Sequence, residues 1–210
     1  ELKRVREELQ RTLRRRDRFL AMLSHELRNP LGAVQNATQI LNLDSSDTQR
    51  AEIAREIILR QTKHMSSLLD DLLDTSRIAE GKIHIDMRQI NLVTTVSDVV
   101  NVMQGTFEKR DQQLDVLVPE EPLWVNADPV RMQQIQVNLL TNAARYSPDG
   151  ATIVLSIHRE KNEAIISVRD HGKGIPLDSQ DQIFEPFIQV NDSVGQADGG
   201  MGIGLALVKA

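Results

Sequence analysis

The chain has 210 residues, room for two small domains or one large one, and its 40% hydrophobic content is that of an ordinary globular protein rather than a disordered one. Its net charge of -5 argues against a general nucleic-acid surface, and the lack of cysteine excludes disulfides and thiolate metal sites and fits a reducing compartment. No apolar run approaches the roughly 18–20 residues of a membrane helix, and no signal-peptide pattern is present. This region is therefore expected to be cytoplasmic. Its first residues read like the middle of a helix, which leaves room for a sensory or membrane-anchoring segment before Glu1.

The first half reads as a helical hairpin. Helix one is expected from the start to about Leu43, with Leu2, Val5, Leu9, Leu13, Leu20, Leu23, Leu27 and Leu31 as an apolar stripe. The early spacing is near a heptad, as in a coiled coil. The run Arg14-Arg15-Arg16 reads as a solvated face of that helix. A turn is expected at Asp44–Asp47, where Ser46 or Asp47 can cap helix two. Helix two runs to about Ala79, with Ile53, Ile57, Met65, Leu68, Leu69, Leu72 and Leu73 on its inner side. Helix one would be about 60 Å long, and two such helices cannot cover each other's stripes alone. A second copy completing a four-helix bundle is the economical solution, so a homodimer is expected.

From about residue 82 the texture changes to short β-branched runs alternating with helical patterns. Lys82–Met87 alternates like a strand. A helix from about Leu92 to Lys109 would present Leu92, Val96, Val99, Val100, Met103 and Phe107 to a core. Strands are expected at 113–118 and 123–126, then a helix from about Pro129 to Tyr146, with Pro129 suited to its first turn. A hairpin pairs 151–158 with 164–169 across a polar turn at Glu160–Glu163. This order suggests a two-layer α/β sandwich. The expected domains are 1–80, helical, and 82–210, α/β.

Two groups of residues carry chemistry. His25 lies on helix one, with Glu26 next to it and Asn29 four residues on, on the same face. Pro30 removes the backbone donor for the Glu26 carbonyl and is expected to bend the helix. A neutral imidazole is a capable nucleophile, and a neighbouring carboxylate can take its ring proton. Read alone, the pair is more often an exposed polar contact. The whole string Phe19-Leu-Ala-Met-Leu-Ser-His25-Glu-Leu-Arg-Asn-Pro30-Leu, however, resembles the H box of sensor histidine kinases. The resemblance implies that His25 accepts phosphate, that Glu26 is the base, and that Asn29 helps orient water in the reverse, phosphatase reaction. The remaining histidines, His64, His84, His158 and His171, read as surface residues without metal-ligand spacing.

The second group is a nucleotide pocket. Asn138 and Asn142 share a face of helix 129–146, and their amide oxygens can coordinate Mg²⁺. Arg145 can meet phosphate oxygens, while Tyr146 reads equally as a nucleotide-facing ring or a core residue. Asp170, at a strand end, can accept a hydrogen bond from an adenine amino group. Gly172 and Gly174 let the backbone pass close to the base. After a polar loop at Gln189–Asp198 come Gly200, Gly202, Gly204 and Leu205, glycines opening onto an apolar helix whose backbone donors can meet phosphates.

In order and spacing these pieces resemble the ATP-site boxes of the same kinases. Asn138-Leu-Leu-Thr-Asn142-Ala-Ala-Arg-Tyr resembles the N box, Asp170-His-Gly-Lys-Gly the G1 box, Phe184-Glu-Pro-Phe187 the F box and Gly200-Met-Gly-Ile-Gly204 the G2 box. The likeness spans about residues 17–208. It implies a dimeric four-helix bundle followed by a Bergerat-type (GHKL) α/β sandwich, with ATP and Mg²⁺ as ligands. Asn138 would be the metal ligand, Asp170 the adenine reader and Gln189–Asp198 a mobile lid. It also implies a response-regulator receiver domain as partner and an upstream sensory domain. Met201 stands where the family often has a small polar residue, and the α/β domain is expected to be incomplete at its C-terminus, since family sequences continue past the equivalent of Ala210. A hinge is expected around Glu80-Gly81.

Overall fold

A computed structural model of the chain describes residues 2–43, 48–79, 82, 84–188 and 202–209. The expected turn at 44–47, the hinge at Glu80-Gly81, the lid, Gly200 and Met201 lie outside the described residues. The chain divides into two compact units, one of residues 1–80 with 186–203, the other of residues 81–185 with 204–210.

In the first unit, α1 (Leu2–Leu43) and α2 (Thr48–Ala79) pack along each other. α1 continues through Pro30 as one helix. Ala37, Ala54 and Leu68 are buried between them, but Leu20, Leu31, Ile53, Leu69 and Leu73 stay exposed. The hairpin thus covers only part of its apolar surface. No helix among the described residues is long and apolar enough to cross a membrane.

The second unit contains β1 (Arg88–Asn91), α3 (Leu92–Glu108), β2 (Gln113–Leu117), β3 (Trp124–Ala127), α4 (Pro129–Tyr146), β4 (Thr152–Glu160), β5 (Glu163–Arg169) and α5 (Gly204–Lys209). A three-stranded sheet has the order β2-β4-β5, with β2 parallel and β5 antiparallel to β4. β1 and β3 form a separate antiparallel pair. The core is where α3 and α4 meet β4. Val96, Val99 and Phe107 of α3, Leu140 and Ala143 of α4, and Ile153 and Leu155 of β4 are all buried there. Val100, expected in the core, is partly buried against it. The β4–β5 hairpin closes on a tighter turn than expected, with Lys161 in the left-handed region at φ 54°.

The strand expected at Lys82–Met87 is displaced: the paired residues are Arg88–Asn91, with Arg88 opposite Ala127 and Asn91 opposite Trp124. Ile85 and Met87 are about half exposed, so their alternation has no surface to bury against. Asp86 is held instead by a side chain, since its N–H donates to Asp128 Oδ2 at 2.9 Å.

Asp128 also caps α4. Its Oδ1 accepts from the N–H groups of Val130 (2.9 Å) and Arg131 (3.2 Å), with Pro129 at the helix start. The N–H of Asp86, aided by those of Arg131 and Val130, holds the Asp128 carboxyl below its ordinary range. A lowered folded-state pKa stabilises the fold above the unfolded value near 3.8 and loses that contribution as pH falls through the folded value. Asp128→Ala is expected to cost about 1 kcal/mol, the usual value of a lost cap. Thermal melts at pH 7 and in acid check this: the difference between variant and parent should shrink at acid pH, and a pH-independent difference would refute the assignment.

Candidate functional site

On α1, His25 is strongly exposed and Glu26 is four-fifths covered, and the two side chains approach to 3.8 Å between Nδ1 and Oε1. Asn29 Nδ2 lies 3.4 Å from the same Nδ1. Both neighbours therefore address one edge of the ring and leave Nε2 facing solvent. With its proton on Nε2 the ring accepts from Asn29. With the proton on Nδ1 it directs that proton toward the carboxylate and leaves a lone pair on Nε2.

Of the residues expected in the nucleotide pocket, Asn138, Asn142, Arg145, Tyr146, Asp170, Gly172, Gly174, Gly204 and Leu205 lie in the second unit, and Gly202 lies in the first. Asn138 and Asn142 are half-buried on α4. Asn138 Nδ2 donates to the carbonyl of Gly204 at 3.3 Å, which joins α4 to the start of α5. A Cβ on Gly204 would meet Asn138 Oδ1 at 3.3 Å, so glycine allows the amide oxygen to sit there. Leu205 follows, half-buried, on α5. Arg145 lies in the last turn of α4 and Tyr146 ends it. Tyr146 is 45% exposed, which decides against its being a core residue.

Asp170 follows β5 and is exposed. Its Oδ1 accepts from the Gly172 N–H at 2.8 Å, an Asx turn that fixes the carboxylate. A Cβ on Gly172 would stand 2.6 Å from the Tyr146 carbonyl oxygen, so glycine is required for the turn to lie against the end of α4. Gly174 is needed for a different reason, its φ of +70°. The structure thus brings Asn138 to Gly204, and Tyr146 to the Asp170–Gly172 turn.

In the first unit, Phe187 adopts φ 68°, uncommon for a bulky residue. Its N–H donates to the Gly202 carbonyl at 2.9 Å, and its ring lies 4.0 Å from that of Phe19. Gly202, at φ +65°, has no room for a Cβ beside the Ile188 carbonyl, 2.8 Å away.

Three features were not singled out from the sequence. His171, exposed as expected, directs Nδ1 at the Thr152 carbonyl at 2.8 Å, so that nitrogen carries the proton. Lys173 places its ammonium 5.5 Å from the centre of the Tyr146 ring. Arg110 and Gln112, from the α3–β2 turn, hydrogen-bond the carbonyls at the end of α4. None of these contacts is legible in a spacing, because partners 19–36 residues apart meet only through the fold.

Two family models match the chain: the His Kinase A (phospho-acceptor) domain over residues 15–81, and the histidine kinase-, DNA gyrase B-, and HSP90-like ATPase over residues 127–210. The adaptive-response sensory kinase SasA of Thermosynechococcus vestitus is 34% identical over all of this chain, which spans 57% of that protein. The autoinducer 2 sensor kinase/phosphatase LuxQ of Vibrio harveyi is 30% identical over 98% of the chain, which spans 24% of it. The chain therefore spans about half or less of these relatives. Among solved structures, full-length ShkA in complex with AMPPNP superposes with a TM-score of 0.64 at 26% identity, over 90% of this chain and 39% of that one. With phospho-acceptor and ATPase-type modules both matched, in that order, the chain belongs to the sensor histidine kinases and carries their catalytic core.

Proposed function

We propose that this chain binds Mg-ATP in its α/β domain, within residues 82–210, and transfers the γ-phosphoryl group to Nε2 of His25 on the helical domain, 1–80. The observation that carries the proposal is the one-sided setting of His25, with Glu26 and Asn29 at Nδ1 and Nε2 left open. Nε2 attacks the γ-phosphorus in line, the N–P bond forms, and the bond from the γ-phosphorus to the bridging oxygen breaks, so that ADP leaves. The Nδ1 proton passes to Glu26, and loss of that proton keeps the product ring from carrying an extra positive charge.

Asp170, pre-set by its turn, reads the adenine amino group beside Gly172 and Gly174, and Tyr146 offers its ring. Arg145 and the backbone of the Gly200–Gly204 segment with Leu205 meet the phosphates. Asn138 and Asn142 supply hard amide oxygens, and the half-buried Asn138, held by Gly204, suits Mg²⁺. When bound, Mg²⁺ offsets charge on the phosphate oxygens.

The phosphoryl group then passes to an aspartate of a response-regulator receiver domain. The hairpin pairs with a second copy, an assignment supported by the exposed Leu20, Leu31, Ile53, Leu69 and Leu73. An upstream sensory domain completes the signalling protein. The test is incubation with γ-labelled ATP and Mg²⁺: label stable to base and labile to acid is expected, whereas ATP binding without label identifies a nucleotide-binding scaffold instead.

A phosphatase activity is favoured by the contact between Asn29 and His25, since an amide beside the phospho-accepting ring suits the orienting of a water that attacks a phospho-aspartate. Asn29→Ala is expected to slow dephosphorylation of a phosphorylated receiver about 10-fold or more while leaving autophosphorylation within about 3-fold, given the size of such positioning effects. Equal loss of both activities would contradict this.

A further inference from the structure

We infer that Gln112 and Arg110, which lie outside every nucleotide box, are positioning residues for the nucleotide site. The inference rests on the ATP-binding role proposed above for α4 and the Asp170 turn.

A helix leaves its last four carbonyls without intrahelical partners, and α4 ends at the residues proposed to touch nucleotide. The Ser147 N–H answers the Ala143 carbonyl, and two side chains from the α3–β2 turn answer those of Ala144 and Arg145. Gln112 is 7% exposed, and its Nε2 donates to the carbonyls of Ala144 at 2.9 Å, Pro148 at 3.1 Å and Ser147 at 3.3 Å. Arg110 Nη1 donates to Ala144 and Arg145, the latter at 3.1 Å, while its Nε reaches Asp149 Oδ1 at 2.8 Å. A guanidinium also suits the negative end of the helix dipole. Backbone bonds fasten the same two turns, from Gly150 N to Arg110 O and from Gln113 N to Ala151 O, both 3.0 Å.

Between Ala144 and Pro148 the carbonyl that these side chains leave alone is that of Tyr146, and it is the one against which the Gly172 turn lies. His171, in that turn, is tied to the Thr152 carbonyl just past the same loop. Gln112 and Arg110 thus hold the carbonyls that flank Tyr146, while the adenine-reading turn rests on the Tyr146 carbonyl itself. A shift of that helix end moves Arg145, Tyr146 and Asp170 together. The clamp fixes three nucleotide contacts without touching nucleotide itself.

The test compares the full chain with Gln112→Met, which keeps the side chain's length and removes its donor, and with Arg110→Lys, which keeps the charge and removes the fork. AMPPNP binding with Mg²⁺ is measured by calorimetry well below each melting temperature, and autophosphorylation is followed against ATP concentration. Gln112→Met is expected to weaken binding about 10-fold and to raise KM for ATP by a similar factor, with kcat within about 2-fold, as for misplaced but intact contacts. Arg110→Lys should fall between it and the parent. Lower melting temperatures with unchanged affinity and KM would overturn the inference and leave a stability device only. Failure of the parent chain itself to bind AMPPNP would overturn the ATP-binding role, and the inference with it.

Discussion

His25→Gln is expected to abolish phosphoryl transfer to the chain while leaving its ATP affinity unchanged. Glutamine fills similar space on an exposed helical face and has no nucleophilic nitrogen, since its amide lone pair is delocalised. His25 lies on α1 and the nucleotide residues on α4, the Asp170 turn and α5, so binding and transfer should separate cleanly. The loss should exceed about 1,000-fold, because a missing nucleophile removes the reaction path rather than weakening it. Glu26→Gln gives the informative contrast. It keeps a neutral acceptor near Nδ1 but removes the charge, and a fall of about 100-fold is expected from the loss of a general base. Filter-bound label and calorimetric ATP affinity, measured side by side, check both variants. Label on His25→Gln would place the acceptor elsewhere.

Gly172→Ala should lower ATP affinity about 100-fold, close to 2.8 kcal/mol at 1.4 kcal/mol per factor of ten. Its Cβ would enter a space bounded by the Tyr146 carbonyl oxygen at 2.6 Å and Asp170 Oδ1 at 2.8 Å. The first is backbone at a clamped helix end and cannot swing away. The second is the carboxylate proposed to read adenine, so relief of the clash displaces the reader. Gly174→Ala makes the comparison sharp. It meets nothing within 4 Å and is strained only through its φ of +70°, a cost of about 1–2 kcal/mol that falls mainly on stability. Calorimetric titration with AMPPNP and Mg²⁺, paired with thermal melts, distinguishes them. Equal affinity losses in the two variants would mean that the turn is flexible and that the close approach at Gly172 is without consequence.

The elements that could be read from sequence are those whose signals are local. Pro129 marks the start of α4, whereas the caps Asp128 and Asn91 emerge from the structure, where the Asn91 side chain accepts from the Val93 N–H. The apolar spacing of Val96, Val99, Met103 and Phe107 found the core face of α3. Lys82–Met87 misled because alternation shows what a strand can bury but not whether a facing surface exists. The pairing that positions β1 is made with Trp124–Ala127, far along the chain. For Tyr146 the helical spacing suited pocket and core alike, and only its exposure separates them. Gln112 and Arg110 were illegible for a related reason: a polar side chain in a turn shows no sign of the helix end it will meet some 35 residues later.

The central claim is a phosphoryl group on one nitrogen of one histidine, and phosphorus NMR of the full chain after incubation with Mg-ATP tests it most directly. A single phosphoramidate resonance of the Nε2 type, absent from His25→Gln, is the predicted result, because Glu26 and Asn29 flank Nδ1 and leave Nε2 open. A resonance of the Nδ1 type, a phosphoester or acyl phosphate signal, or no new signal while ATP is bound would contradict it.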